Sequence, residues 1–240
     1  MEARAIFEKI LYSYIPRRKI IPVNGYYQSV NFDLHSGSLE GKELLDFGCG
    51  TGLFSLYAIL IGEAKSVLSI DEFEGRGSSE KNCDRLQLIL RRFKLTNKIH
   101  LVKANGMTYD FKDRQFDIIY FSYVLHHLFP KSDRDDRNVI TSFLKKMKRL
   151  LKPRGSIIIR EVMRRNFTEH FPPRIKIFPV RWETKRNDTE WKDLLYKAGF
   201  THVVSRFYVP YYLHYFPFNL LLSNKLASYF LTSRYVLECR

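Results

Sequence analysis

The sequence predicts an α/β protein built on a doubly wound, mostly parallel sheet, and three observations carry that expectation. From Glu43 onward, short apolar runs alternate with longer segments of helical period. The first run, Leu44-Leu45-Asp46-Phe47, breaks into Gly48-Cys49-Gly50-Thr51-Gly52, a strand passing through a glycine turn into a helix. The fourth run, Phe116-Asp117-Ile118-Ile119-Tyr120-Phe121, is nearly continuously apolar, as a central strand covered on both faces must be. At 240 residues the chain suits one core, because cores divide only beyond roughly 250–300 residues.

Residues 1–38 read as an N-terminal helical cover of one or two helices and a loop, and residues 39–240 as the main domain. After the glycine turn, Leu53, Leu56, Tyr57 and Leu60 share a helical stripe. Ser66 to Ile70 form the second strand, which stops at Asp71-Glu72. Leu86, Ile89, Leu90 and Phe93 then keep amphipathic helical spacing, with Arg85, Arg91, Arg92 and Lys94 on the outer face. Ile99 to Val102 supply the third strand, followed by Lys103-Ala104-Asn105-Gly106. Beyond the fourth strand and Ser122 to Leu128, a long helix turns Ile140, Phe143, Leu144, Met147 and Leu151 inward and its lysines outward. Lys152-Pro153-Arg154-Gly155 reads as its terminator, and Ser156 to Arg160 as a fifth strand ending at Glu161.

A long irregular segment follows, and residues 162–186 are read as a substrate lid because cations there alternate with Phe167, Phe171, Phe178 and Trp182. Order returns in a helix near Glu190 to Ala198, a strand near Thr201 to Val209 and a last strand from Tyr235 to Cys239. Between them, Pro210 to Phe230 is rich in Tyr, Phe and Leu, and could cover a hydrophobic substrate or rest on lipid.

Composition narrows the classes of function. Hydrophobic residues make up 45% and charged residues 27%, which excludes a disordered or collagen-like chain. Three scattered cysteines, Cys49, Cys83 and Cys239, are too few for a disulfide framework or a zinc site, and they point to a reducing, cytoplasmic compartment. The longest apolar stretch, Leu53 to Ile61, is far short of the ~20 residues that span a bilayer, so no transmembrane segment is expected. The formal charge is +15, of which residues 1–120 contribute +2 and residues 121–240 contribute +13. Such a one-sided field attracts anionic partners: nucleic acid, the acidic surface of a membrane touched peripherally, or a phosphorylated small molecule.

The chemistry concentrates where strands end. Glycines at 48, 50 and 52 let the backbone turn with positive φ and leave room for a ligand against the peptide groups. A dinucleotide fingerprint would require its third glycine at position 53, where Leu53 stands, and no phosphate-loop Lys-Ser/Thr follows. Asp71 lies 19 residues after Gly52, at a strand end where a carboxylate can accept hydrogen bonds from both hydroxyls of a ribose. Glu72 can take the same role, and either acid can instead cap a helix. Asn105 offers an amide able to pair with adenine, with Gly106 and Met107 beside the ring.

Leu44 to Gly52 resembles the cofactor-binding motif of class I S-adenosylmethionine-dependent methyltransferases. Four further segments agree in order and spacing: Ser66 to Asp71, Ile99 to Gly106, Phe116 to Leu128, and Leu150 to Gly155. The resemblance implies a Rossmann-like, seven-stranded sheet with a final antiparallel strand and S-adenosyl-L-methionine as cofactor. It places Asp46, Gly48, Gly50 and Gly52 at the methionine part, Asp71 at the ribose, and Asn105 and Gly106 at the adenine end; Ser122 is a further cofactor-binding candidate. The adenine position is commonly Asp in this family, and Phe121-Ser122-Tyr123-Val124 replaces the Pro-Pro motif of enzymes that methylate adenine bases.

Methyl transfer from a sulfonium needs an aligned nucleophile and removal of a proton, and requires no metal. His126 and His127, after the fourth strand, and Glu161, after the fifth, are the candidate bases, each with a structural alternative as a buried or paired side chain. Tyr26, Tyr27 and Tyr123 can line the pocket or pack in the core. The implied activity is methylation of a small-molecule acceptor, hydrophobic or anionic. The alternative is RNA methylation, with the basic half as the docking surface.

Overall fold

Each expected strand forms where apolar residues alternate with turn residues, and together they make one seven-stranded sheet. The strands are β1 (Glu43–Phe47), β2 (Ser66–Asp71), β3 (Ile99–Lys103), β4 (Phe116–Ser122), β5 (Leu151–Val162), β6 (Val203–Phe207) and β7 (Arg234–Cys239). Their order across the sheet is β3-β2-β1-β4-β5-β7-β6. β2 pairs parallel with β1 and with β3, with Phe47 opposite Ile70 and Asp71 opposite Lys103. β7 is antiparallel to both of its neighbours, with Glu161 opposite Tyr235. The computed structural model describes residues 2–14, 23–35, 37–75, 78–129, 136–164, 167, 185–209, 213 and 217–240. Most of the 162–186 segment read as a lid, and Tyr211, Tyr212, Tyr215 and Phe216, lie outside the described residues.

The chain divides into two compact units, residues 1–120 with 150–155, and residues 121–149 with 156–240. In the first unit, α1 (Ala3–Tyr14) buries Phe7, Ile10 and Leu11, one stripe at helical spacing. With α2 (Val23–Leu34) it forms an aromatic cluster: Phe7, Tyr26, Tyr27 and Tyr57 meet with ring centroids 5.5 to 5.9 Å apart. Tyr26 and Tyr27 therefore pack against the rings of α1 and α3 (Leu53–Leu60). Buried Asp33 accepts a 2.5 Å hydrogen bond from the Tyr120 hydroxyl, whose ring stacks on Phe54 at 3.8 Å. α4 (Glu80–Arg92) buries Cys83, Leu86 and Leu90.

One boundary differs from expectation. Lys152 to Gly155, read as the end of a helix, already belongs to β5. Lys152 donates to Glu43 at 2.6 Å and Asp117 at 2.9 Å, and its hydrogen bond helps Lys65 hold the Glu43 carboxyl down at about 2. A Cβ on Gly155 would lie 3.0 Å from the Phe116 carbonyl oxygen, so the chain runs too close to β4 for a side chain there. Gly155 in this strand marks the approach of another backbone, not a stop.

In the second unit, α5 (Leu125–Leu128) follows β4, and α6 (Asp136–Arg149) buries Ile140, Phe143, Leu144 and Met147 as its periodicity predicts, whereas Leu151, expected on the same face, lies beyond the helix and opens β5. Lys145 and Arg149 on that helix face solvent. Ahead of α7 (Asp188–Lys197), Asn187 and Glu190 form a reciprocal capping box. Buried Arg186 donates to the Phe129 carbonyl at 2.5 Å and to the Asp136 carboxylate, while its own carbonyl accepts from the Tyr235 hydroxyl at 3.0 Å. Two short helices, α8 (Phe218–Leu222) and α9 (Lys225–Leu231), precede β7. Cys49, Cys83 and Cys239 are free and buried. Among the described residues, no helix is long and apolar enough to cross a membrane.

Candidate active site

The turn after β1 is shaped by three glycines with left-handed backbone, φ 72° at Gly48, 53° at Gly50 and 71° at Gly52. Left-handed backbone strains other L residues, so these positions favour glycine. Gly52 is doubly constrained, since an added Cβ would also sit 2.5 Å from the Leu86 side chain of α4. The loop is fastened to β2: Gly48 N and Cys49 N donate to the Ile70 carbonyl. Gly50 N donates to Asp71 Oδ2 at 2.8 Å, and Asp71 Oδ1 accepts from Phe73 N at 2.7 Å. Asp71 thus spans the loop and the chain leaving β2. Each of its oxygens keeps a further lone pair for a ligand hydroxyl. Glu72 is half-buried beside it.

Beneath the loop lies a buried polar chain. Ser55 Oγ donates to Asp46 Oδ2 at 2.6 Å and, 2.7 Å from Ser69 Oγ, accepts from that hydroxyl. Burial pushes the Asp46 carboxyl up to about 7, with the Asp71 charge adding to the rise and the Ser55 hydrogen bond opposing it. The unfolded chain would ionise this group near its ordinary value of 3.8, so the native state holds a proton that the unfolded state releases between about pH 4 and 7. The associated stability is complete below about pH 4 and lost as pH rises through about 7, a fall of up to about 4 kcal/mol. Asp46→Asn is expected to remove that fall. Urea denaturation of variant and parent across this range should give a stability difference that widens in the variant's favour as pH rises.

At the end of β3, Asn105 Oδ1 accepts from Met107 N at 2.8 Å, closing a turn in which Tyr109 N donates to the Asn105 carbonyl. The side chain is exposed. Gly106 is buried, and a Cβ there would lie 2.3 Å from the Phe47 ring, so the ring of the last β1 residue requires glycine at this position. Tyr14 is a contact that sequence reading did not single out. Its hydroxyl oxygen is buried without a hydrogen-bond partner among the described residues, within electrostatic reach of the Cys49 thiol. The Arg85 guanidinium lies 3.8 Å from the Tyr14 ring centroid and donates to the Ser13 carbonyl at 2.5 Å. The only sequence signal is that Tyr14 continues the stripe of Phe7, Ile10 and Leu11, which by itself indicates packing.

Asp46, the three loop glycines, Asp71, Asn105 and Gly106 all belong to the first unit; Ser122, His126, His127 and Glu161 belong to the second. Ser122 is the half-buried last residue of β4, and Tyr123 follows with φ 57°, a left-handed turn at a non-glycine residue. Tyr123 N donates to the Arg160 carbonyl, and Arg160 Nε donates to the Tyr123 hydroxyl at 3.1 Å. This turn aims α5 so that His126 Nδ1 lies 2.7 Å from Glu161 Oε2, with His126 N donating to Oε1 at 3.3 Å. Glu161 is 1% exposed and His126 9%, whereas His127 is exposed, with its ring centroid 4.1 Å from that of His126. An ionised Glu161 makes Nδ1 the protonated nitrogen and leaves the lone pair on Nε2. The arrangement is a carboxylate-oriented imidazole, able to accept a proton at Nε2.

Residues 45–159 match the family model described as a methyltransferase domain, from β1 through most of β5. That stretch of the chain is a methyltransferase domain. Over 127 residues the chain is 32% identical to the ubiquinone/menaquinone biosynthesis C-methyltransferase UbiE of Vibrio vulnificus, covering 52% of this chain and 43% of that protein. The chain therefore spans less than half the length of that relative. Over 187 residues it is 26% identical to a demethylmenaquinone methyltransferase of Staphylococcus haemolyticus, covering 69% of this chain and 71% of the relative. In fold it is similar to the structure of a SAM dependent methyltransferase from Aquifex aeolicus, with a TM-score of 0.57, 19% identity and 97% coverage of both chains.

The methyl donor implied by the matched domain is S-adenosylmethionine, and the residues of the first unit fit it. The loop turns on three glycines, a carboxylate with spare acceptor capacity stands at the β2 end, and a buried tyrosine hydroxyl within electrostatic reach of Cys49 has no hydrogen-bond partner among the described residues. Gly48, Gly50 and Gly52 would face the methionine part and Asp71 the ribose. Asn105, with its oxygen engaged by Met107 N, would offer its amide to adenine.

Proposed function

We propose that the protein is a class I methyltransferase that transfers the methyl group of S-adenosylmethionine to a small, hydrophobic acceptor bearing a hydroxyl or an acidic carbon. The observation that carries the reading is the Asp71–Gly50 hydrogen bond, which joins the glycine turn to the β2 acid inside the matched domain. Two of the relatives, one named for ubiquinone/menaquinone biosynthesis and the other for demethylmenaquinone, support the hydrophobic acceptor. Three buried free thiols are compatible with a reducing cytoplasm.

When bound, S-adenosylmethionine supplies an activated methyl carbon open to in-line displacement. Asp71 and the glycine turn orient the nucleoside, and such orientation can supply on the order of 7–11 kcal/mol. His126 Nε2 takes the proton of the acceptor, and Glu161 holds the imidazole in the tautomer that can do so. Glu161 is thus a positioning residue. Asp46 holds the loop from below through Ser55.

The test is incubation of the protein with methyl-labelled S-adenosylmethionine and a cell extract, followed by fractionation. Label is expected in the organic-soluble small-molecule fraction. Label in RNA or protein would overturn the acceptor class, and bound cofactor without labelled product in any fraction would overturn the enzymatic reading.

A further inference from the structure

Six of the eleven large apolar side chains that are exposed among the described residues fall within α8 and α9: Phe218, Leu220, Leu221, Leu226, Phe230 and Leu231. These helices are built inside out. The one fully buried side chain of α9 is Ser228, whose hydroxyl donates to the Arg234 carbonyl at 2.9 Å, while Leu226 is 70% exposed. Polar groups anchor the pair to the fold: Asn224 Oδ1 caps α9 through Ala227 N at 2.9 Å, and Thr232 Oγ1 donates to the Tyr208 carbonyl at 3.0 Å. A helix that stabilised the core would turn its leucines in and its serine out. Exposed leucines and phenylalanines concentrated on two successive helices mark a surface that meets something apolar.

The charge around the patch selects its occupant. Between Asp193 and Glu238 the sequence contains no acidic residue, and residues 121–240 carry +13. Lys225, at the start of α9, is half-exposed and satisfies buried Asp188 at 2.7 Å, so the one carboxylate it meets is already neutralised. Arg234 lies exposed just beyond α9. A second copy of this chain would bring two such cationic halves together. An anionic bilayer offers apolar depth beneath a negative surface, which matches both properties.

We propose that α8 and α9 dock the protein peripherally on anionic lipid bilayers, with Leu221, Leu226 and Phe230 entering the headgroup boundary. The test needs no methyl donor, so its failure leaves the methyl-transfer reading standing. The full chain is floated with equimolar phosphatidylcholine–phosphatidylglycerol vesicles and with phosphatidylcholine vesicles at low salt. Binding is expected to the anionic vesicles only, and the double variant Leu221→Ser/Leu226→Ser is expected to lower the partition at least about tenfold with its melting temperature unchanged. Absence of binding by the parent, or equal binding by the variant, overturns the proposal. So does sedimentation equilibrium showing a dimer that the double variant dissociates, which would make the patch a contact between copies. Should the double variant fail to fold, Leu226→Trp replaces it. Its emission must shift to the blue on adding anionic vesicles relative to the parent, and an unchanged spectrum overturns the proposal.

Discussion

Asp71→Ala lowers the affinity for S-adenosylhomocysteine by about 10- to 100-fold, read by titration calorimetry, because a hydrogen bond to a charged group contributes ~1.5–3 kcal/mol. The structure adds a second reason for a large effect. The same carboxylate accepts from Gly50 N and Phe73 N, so its removal releases the glycine turn as well as the proposed ribose contact. Asp71→Asn is expected to lose most of the affinity too, since an amide that accepts from one of these nitrogens turns its own N–H groups toward the other. Glu72→Ala serves as the comparison and should bind the ligand as the parent does. If Glu72→Ala weakens binding and Asp71→Ala does not, the ribose contact belongs to Glu72.

His126→Asn reduces the rate of methyl transfer by about 10²- to 10⁴-fold, the range a positioned base contributes, while leaving S-adenosylhomocysteine affinity unchanged. Asparagine can keep the hydrogen bond to Glu161 but has no counterpart of Nε2, so buried Glu161 is not left alone and folding is spared. The rate is followed as label entering the acceptor fraction. Glu161→Gln should also slow the reaction and alter its pH profile, because a glutamine can present its N–H to Nδ1 and favour the tautomer whose lone pair points the wrong way. His127→Asn is the control, expected to react at the parental rate. A loss in His127→Asn with none in His126→Asn would move the base to the exposed ring.

Most of what positions the glycine turn and Asp71 is local in the chain, and so it is legible in the sequence. The glycines of residues 48–52 must follow a strand and precede a helix, and Asp71 must end the next strand, since spacing and turn chemistry are properties of neighbours. The legible part weakens wherever distant segments meet. The pairing of His126 with Glu161 joins residues 35 apart in the chain, and only packing makes one of two adjacent histidines face the carboxylate. Lys152 was hidden in a run that reads as a helix stop, because its partners Glu43 and Asp117 come from two other strands. Gly106 looks like a turn glycine and owes its identity to the ring of Phe47, 59 residues earlier. The leucines of α9 obey a helical pattern while facing the opposite way from the one such a pattern implies.

The position of β7 has a consequence for how the polypeptide is made. β6 reaches the sheet only by pairing with β7, which is inserted between it and β5 although it is synthesised after both. On the ribosome, the unit holding the glycine turn has all its segments once Gly155 has emerged, whereas β6 must wait, unpaired, until Arg234 to Cys239 leave the exit tunnel. A nascent chain halted before Arg234 would therefore expose two raw strand edges at once, and is the form in which this protein should call most heavily on chaperones.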